Sequence, residues 1–584
     1  METLRLGLAQ INTIVGDLDG NQKKIIKLIA QAKKSDIDLL AFPELTMTGY
    51  PPEDLLLRPS FIDANKRALH EIIPHTKGLT AIVGYVERDH DVRNAAAVIC
   101  NGEIAGIVHK SYLPNYGVFD ENRYYQPASE YKVFSKENFS FGVSICEDIW
   151  SADGPVKAQA LWGDAQLLVN ISASPFTLGK SCARERIFAT RAVDYVSVVA
   201  VCNLVGGQDE LVFDGQSLIF DEQGKLVARA KQFEEELLVA DIDLNRIFRN
   251  RLRDPRRRKE KSRLQGDSQQ GRVQQIELPV FLTKRASAKA KTPASTQIAK
   301  RSDPTEEIYR ALVLGTRDYA QKNNFEKVLI GISGGIDSAL VACIAVDALG
   351  SKNVKGVFMP THYTCKESHT DSVHLAKNLG FELISISVEE IYEKSLKALE
   401  PVFQKTKSGV AEENLQARIR ANLWMALSNK FGWLVLTTGN KSELSVGYST
   451  LYGDMAGGFN VLKDVYKTEI YDLAQYRNTL KSEIPAHSIE RAPTAELRFG
   501  QTDEADLPAP YCELDRILKM YVEDDCSFED IISAGYQEEV VRRIIAQVDR
   551  NEYKRRQSPV GVKITSRAFG RDRRMPITNR FQSS

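Results

Sequence analysis

The sequence predicts an α/β protein built as two domains. Three observations lead there. At 584 residues the chain is too long for one ordinary core. Short, β-branched apolar runs are interspersed with helical stretches in both halves. A polar, aperiodic segment separates the halves near residues 275–300.

In the first half RLGLAQIN, DLLAFPEL, TAIVGYVE, AAAVIC, FGVSICEDIW, AQLLVNIS, VSVVAVCN and SLIF read as strands. The pairs Asn101–Gly102 and the EQGK stretch Glu222–Lys225 read as hairpin turns. Helical stretches such as NQKKIIKLIAQAKKS lie between, so sheets covered by helices are expected. From Arg246 to Arg263 stand ten Lys or Arg against two acids, which reads as a solvated face or an interdomain arm. Nucleic-acid contact is the alternative, although no aromatic residues are interleaved to support it. SQQGRVQQ and RASAKAKTPASTQIAK then read as a connector. The expected division is a domain over 1–275, a linker over 276–300 and a domain over 301–584. In the last, KVLIGIS, VKGVFMP, ELISISV and WLVLTTG alternate with long helical segments. That pattern predicts a doubly wound parallel sheet with its ligand at the carboxyl ends of the strands.

Charge is balanced, 77 basic against 77 acidic residues, which gives no global reason to expect nucleic acid or an acidic membrane. Apolar runs are strand-length, well short of the ~20 residues of a membrane helix. The start METLRLGLAQIN lacks a signal pattern, and eight cysteines occur without a CxxC pair. A cytoplasmic protein with reduced thiols is expected.

Three strand ends in the first half bear reactive groups: Glu44 in AFPELTMTGY, Lys110 in GIVHKSYLPNYGVFDE and Cys146 in GVSICEDIW. Singly each is unremarkable. Together they supply a thiol, a base for its proton and a cation for charge developing on an attacked amide. FPE, HKSYLPNYGVFDE and CEDIW resemble the three signature segments of the nitrilase (carbon–nitrogen hydrolase) superfamily. The resemblance implies an αββα sandwich with Cys146 as nucleophile, Glu44 as general base and Lys110 as oxyanion stabiliser. NISASPFTLGK and NLVGGQDELVFDGQS resemble the glutaminase branch, implying that Tyr116, Ser174 and Lys180 bind the amino-acid end of glutamine.

In the second half GISGGIDS follows the first strand. Its glycines permit a tight loop whose amides, with the next helix N-terminus, face an anion. It is not a Walker A loop, since GK[ST] is missing. SGGIDS resembles the pyrophosphate loop of the N-type ATP pyrophosphatases. That implies ATP contacts from Gly331, Ile332, Ser333, Gly334, Gly335, Ile336, Asp337 and Ser338. ENLQARIRANLWM, LTTGNKSELSVGYSTLYGDMAGGFNVLKDVYKTEIYDLA and RAPTAELRFGQTDEADLPAPY resemble the NAD synthetase family. By that resemblance Thr438, Lys467 and Thr494 also contact ATP, and Asp337 and Glu443 hold Mg2+. Asn414, Arg418, Glu443 and Lys554 face deamido-NAD. Joined, the halves resemble glutamine-dependent members of that family, which use ATP, deamido-NAD and glutamine and release AMP, pyrophosphate and glutamate. An enclosed ammonia route walled partly by neighbouring subunits implies a homo-oligomer.

Other readings compete with this one. His362, Cys365, His369 and His374 have spacings that could suggest structural zinc. GMP synthetase also pairs a glutaminase with an SGG-x-DS domain but needs a Cys-His-Glu triad, and only His109 stands near a motif. Asparagine synthetase needs cysteine directly after Met1, where this chain has Glu2. Another glutaminase-coupled ATP pyrophosphatase, or a nucleic-acid-binding relative, is the alternative function.

Overall fold

The computed structural model describes residues 3–137, 139–263, 270–279, 297–404 and 406–581. The chain divides into two compact units, Met1–Gln208 with Val212–Ser302, and Asp209–Leu211 with Asp303–Ser584.

The first unit is an αββα sandwich. One sheet runs, in spatial order, Glu236–Asp243, Thr3–Gln10, Leu39–Ala41, Thr80–Arg88, Val92–Cys100 and Glu103–His109. The other runs Leu226–Arg229, Leu218–Phe220, Val198–Asn203, Leu167–Ser172, Phe139–Ile145, Tyr131–Lys136 and Val273–Glu277. Side-chain alternation builds the layers. Leu4, Leu6 and Leu8 face inward and share a core with Val143, Ile145, Val169 and Ile171 of the second sheet. Ala9, Leu40 and Phe42 point the other way, onto Ile25 and Ile29 of the helix Leu18–Lys34 and Leu69 and Ile72 of the helix Pro59–Ile72. On the far side Leu168, Val199 and Val201 pack against Val156 and Ala160 of the helix Pro155–Leu161 and Phe188 and Ala192 of the helix Lys180–Tyr195. The two expected hairpins form, with Asn101 and Gly102 at φ 52° and 90° and Gly224 at φ 77°.

The segment SQQGRVQQ, read as a connector, instead supplies Val273–Glu277, a strand parallel to Tyr131–Lys136. It lies at a sheet edge with half-exposed side chains, a position that needs little apolar content. Of the 276–300 linker, residues 280–296 lie outside the described residues. Beyond them the Arg229 N–H donates to the Gln297 carbonyl and the Ala299 N–H to the Arg229 carbonyl, each at 3.0 Å.

The basic stretch folds as two helices, Leu244–Arg253 and Pro255–Arg263. Arg246 pairs with Asp221 at 2.6 Å and Glu222 at 2.8 Å, and Arg257 with Asp164 at 2.6 Å. Arg251 donates to the carbonyls of Val196, Asp164 and Ala165 and to Ser197 Oγ at 2.5–3.0 Å. Replacing Arg251 by alanine removes these four hydrogen bonds and is expected to destabilise the first unit by about 2 kcal/mol. Arg258→Ala is the control, since that exposed side chain donates, among the described residues, to the Leu252 carbonyl alone. Scanning calorimetry should lower one transition for Arg251→Ala alone; equal midpoints for the two variants would refute the anchoring.

The second unit holds the expected doubly wound sheet. Its five strands, Glu382–Ser385, Val354–Phe358, Val328–Gly331, Leu434–Thr437 and Phe459–Asn460, pair in that order and all in parallel. Helices Ile336–Leu349, Lys366–Leu379 and Val410–Phe431 flank them. Among the described residues no helix is long and apolar enough to cross a membrane. All eight cysteines are free thiols.

Candidate active sites

In the first unit, strand ends bring the predicted residues together. Glu44, Lys110, Cys146 and Ser174 each follow the carboxyl end of a strand, the edge where open sheets present functional groups. Glu44 can lie against the neighbouring strand only because residue 84 is glycine. A Cβ at Gly84 would meet the Pro43 carbonyl oxygen at 2.4 Å and the Leu45 nitrogen at 2.5 Å.

Glu44 is fully buried and its carboxylate accepts three hydrogen bonds, which leaves Oε2 room for a proton. Oε1 accepts from Lys110 Nζ and from Asn94 Nδ2, both at 2.7 Å, and Oε2 accepts the Ala173 N–H at 2.9 Å. Lys110 Nζ also donates to Glu121 Oε1 at 2.8 Å, which in turn accepts from the Tyr50 hydroxyl at 2.9 Å. Burial disfavours the Lys110 charge, but Glu121 and Glu44 outweigh it and raise its pKa. Burial pushes Glu121 up to about 7, with Lys110 opposing. Cys146 is 4% exposed, with φ at 45° in the left-handed region. Burial, then Glu44, raises its thiol well above the ordinary range, while Lys110 pulls the other way. The thiol is therefore protonated at rest and needs a base.

Tyr116 is exposed, and its hydroxyl donates to the Glu147 carboxylate at 2.9 Å, beside the nucleophile. Ser174 is buried, its N–H on Asn203 Oδ1 at 3.0 Å. Lys180 Nζ donates to the Pro175 carbonyl at 3.1 Å and lies 5.9 Å from the centre of the Trp150 ring.

In the second unit the carboxyl ends of the parallel strands open onto two adjoining cavities of about 570 Å³ and about 180 Å³ that share Ser333 and Thr438. The larger is lined by Gly335, Ile336, Asp337 and Ser338 of the loop, by Lys467 and Thr494, and by Asn414, Glu443 and Lys554. The smaller is lined by Gly331 and Ile332. Gly334 turns the loop at φ 82°, and a Cβ there would meet the Ser368 carbonyl oxygen at 2.6 Å. Arg418 lines neither cavity; it is exposed and donates to the Leu451 carbonyl at 3.1 Å. Arg420, two residues on, lines both.

Electrostatics single out one corner of the larger cavity. Lys467 Nζ pairs with Asp337, whose other oxygen accepts from Asn440 Nδ2 at 2.9 Å. Burial opposes the Lys467 charge, but Asp337 and Glu443 raise its pKa. Burial, then Asp337, drives Glu443 well above the usual carboxylate range, and Asp503 adds to the shift. Three carboxylates thus crowd one ammonium, an arrangement short of positive charge that suits a divalent cation. Among the described residues no three His, Cys, Asp or Glu side chains form a ready-made metal cluster. A magnesium site built from one or two carboxylates and nucleotide phosphates needs none. The zinc alternative finds its side chains engaged separately: His362 Nδ1 contacts Glu389 at 2.6 Å, Cys365 caps a helix through the Ser368 N–H, and His369 packs edge-on to Phe358.

The sequence did not mark Glu121, Glu147, Asp503 or Arg420. Each lies inside a quoted motif stretch, but only the fold shows which cluster it joins.

A carbon–nitrogen hydrolase family model matches residues 5–251, and an NAD synthase family model matches residues 308–558. The glutamine-dependent NAD(+) synthetase of Thermotoga maritima is 48% identical over 590 residues, covering 100% of both chains. That of Aquifex aeolicus is 48% identical over 581 residues, covering 99% of this chain and 100% of its own. The structure of glutamine-dependent NAD+ synthetase from Acinetobacter baumannii in complex with ADP has 39% identity and a TM-score of 0.73, with 100% of each chain covered. With both domains present, and identity at this level from end to end, the chain belongs to the glutamine-dependent NAD(+) synthetase family.

Proposed function

We propose that this chain amidates deamido-NAD to NAD, using ATP and ammonia released from glutamine. The observation that supports it most is one chain holding both a buried Cys146–Lys110–Glu44 cluster and, in a separate unit, a phosphate-type loop with Asp337 paired to Lys467.

Glutamine's amino-acid end carries one charge of each sign. Glu147, steadied by Tyr116, matches its ammonium; Lys180, with Ser174, matches its carboxylate. Cys146 sulfur attacks the carboxamide carbon as Glu44 takes the thiol proton, and Lys110 stabilises the oxyanion. Glu121 matters at that moment. As Glu44 takes up the proton, Glu121 keeps a second acceptor on Lys110 Nζ, so the ammonium stays fixed while the oxyanion forms against it. Collapse of the adduct expels ammonia with the proton from Glu44, and water then cleaves the thioester to glutamate.

In the second unit the nicotinate carboxylate attacks the α-phosphorus of ATP, and pyrophosphate leaves into the Ser333–Ser338 loop. Lys467 offsets charge on the transferring group, and Thr438 and Thr494 line the nucleotide's place. Asn414 and Lys554, which line the larger cavity, would face deamido-NAD, whereas Arg418 lies outside both cavities. Asp337 and Glu443 would hold magnesium, which neutralises phosphate oxygens when bound. Ammonia then attacks the acyl carbon of the adenylate and AMP departs. A free carboxylate is a poor acyl donor, which is why ATP is needed. Ammonia is largely protonated in bulk water, so an enclosed route in a cytoplasmic homo-oligomer belongs to this reading.

Purified protein given glutamine, ATP and deamido-NAD should produce NAD, AMP, pyrophosphate and glutamate in equal amounts. Formation of ADP and phosphate, or glutamine and ATP turnover that leaves deamido-NAD unconsumed, would refute it.

A further inference from the structure

Asp148 follows Cys146 by two residues and is 1% exposed. Its hydrogen bonds go to backbone N–H groups from two separate segments. Oδ2 accepts the Ile145 N–H at 3.0 Å. Oδ1 accepts the Ser111 N–H at 3.0 Å and the Tyr112 N–H at 2.9 Å. Ile145 is the last strand residue before the nucleophile, and Ser111 is the first residue after Lys110. One buried carboxylate therefore grips both segments that deliver the reacting groups.

Two features give that grip a consequence. Cys146 sits at φ 45°, a conformation that is strained for a non-glycine residue and persists only where its surroundings enforce it. Asp148 closes the short turn Cys146–Ile149 by bonding back across Cys146 to Ile145. Lys110, meanwhile, has just left its strand. On its near side the Lys110 N–H is fixed to the Asn94 carbonyl at 2.9 Å. On its far side the next two N–H groups are held by Asp148.

We propose that Asp148 is a positioning residue for the amidase step, setting the separation and aim of Cys146 Sγ relative to Lys110 Nζ. This rests on the glutaminase role given above to the first unit. Asparagine cannot replace it: its single carbonyl oxygen can serve Ser111 and Tyr112, or Ile145, but not both, and its NH₂ group would face a remaining N–H. Glutamate keeps the charge but places it one methylene too far.

The test uses the full-length enzyme with Asp148→Asn, and Asp148→Glu should the first fail to fold. NAD synthesis from glutamine should lose about 100-fold in kcat, the scale of an ångström-sized misplacement, with KM for glutamine within about threefold. Labelling of Cys146 by an electrophilic glutamine analogue should slow by a similar factor. NAD synthesis from external ammonium should stay at the wild-type rate and report an intact second unit. Wild-type kcat with glutamine, a loss confined to KM, or an equal loss with ammonium would each overturn the proposal. Cys146→Ala separates the two ideas. Should that variant still use glutamine, the glutaminase reading fails whatever Asp148 does.

Discussion

Cys146→Ala is expected to lose NAD synthesis from glutamine by about 10⁴-fold or more while keeping synthesis from concentrated ammonium salt. The size follows from the chemistry. Without sulfur there is no thioester, and water would have to attack an unactivated carboxamide directly. The selectivity follows from the placement: Cys146, Lys110 and Glu44 belong to the first unit, whereas Asp337, Lys467 and Glu443 belong to the second. A free thiol titrates near ~8.5. Here burial and Glu44 raise it further, so reactivity depends on Glu44 accepting the proton as the bond forms. An electrophilic glutamine analogue should accordingly mark Cys146, although Cys182 is the more exposed thiol and Cys202 is buried like the nucleophile. Mass spectrometry finding the adduct on Cys182 or Cys202, or glutamine use at the normal rate by Cys146→Ala with ammonium excluded, would end the two-site reading.

What the sequence made legible was whatever leaves a local trace. Period-two alternation marks Leu4, Leu6 and Leu8 as one face, and the structure buries them as one face. Glycine-containing turns at Asn101–Gly102 and Glu222–Lys225 are likewise local events. The parallel sheet of the second unit was readable from strand–helix alternation, because parallel strands require long crossovers. Other features have no local trace. Val273–Glu277 looks like linker because an edge strand takes its order from Tyr131–Lys136 rather than from its own Gln-rich composition. Glu121 reads as a loop acid until folding places Lys110 and Tyr50 on the same oxygen. Asp503 likewise becomes informative only beside Lys467 and Asp337. The basic helices show the same limit in reverse: the charge run reads as a solvated face or an interdomain arm, whereas Arg246, Arg251 and Arg257 find partners within the first unit.

Asp337→Ala is expected to lose both glutamine- and ammonium-supported NAD synthesis, by about 10³-fold or more, because both nitrogen sources need the same adenylate. Asp337 faces Lys467 and receives Asn440, at the first turn of the helix that follows the Ser333–Gly335 loop. Removing its charge takes one of the two proposed magnesium carboxylates. It also leaves Lys467 to pair with Glu443, which burial and Asp337 together now hold toward the neutral form. Phosphate charge would then be neutralised by a misdirected lysine and a weakened cation site. ATP-dependent pyrophosphate release should vanish, and raising magnesium should restore little of it. The first unit should be untouched, so Cys146 should take up the glutamine analogue as readily as in the unaltered protein. Asp337→Ala releasing pyrophosphate at a near-normal rate would show that this loop holds something other than the leaving group of ATP. Loss of Cys146 labelling in the same variant would show instead that the substitution had disturbed the whole chain.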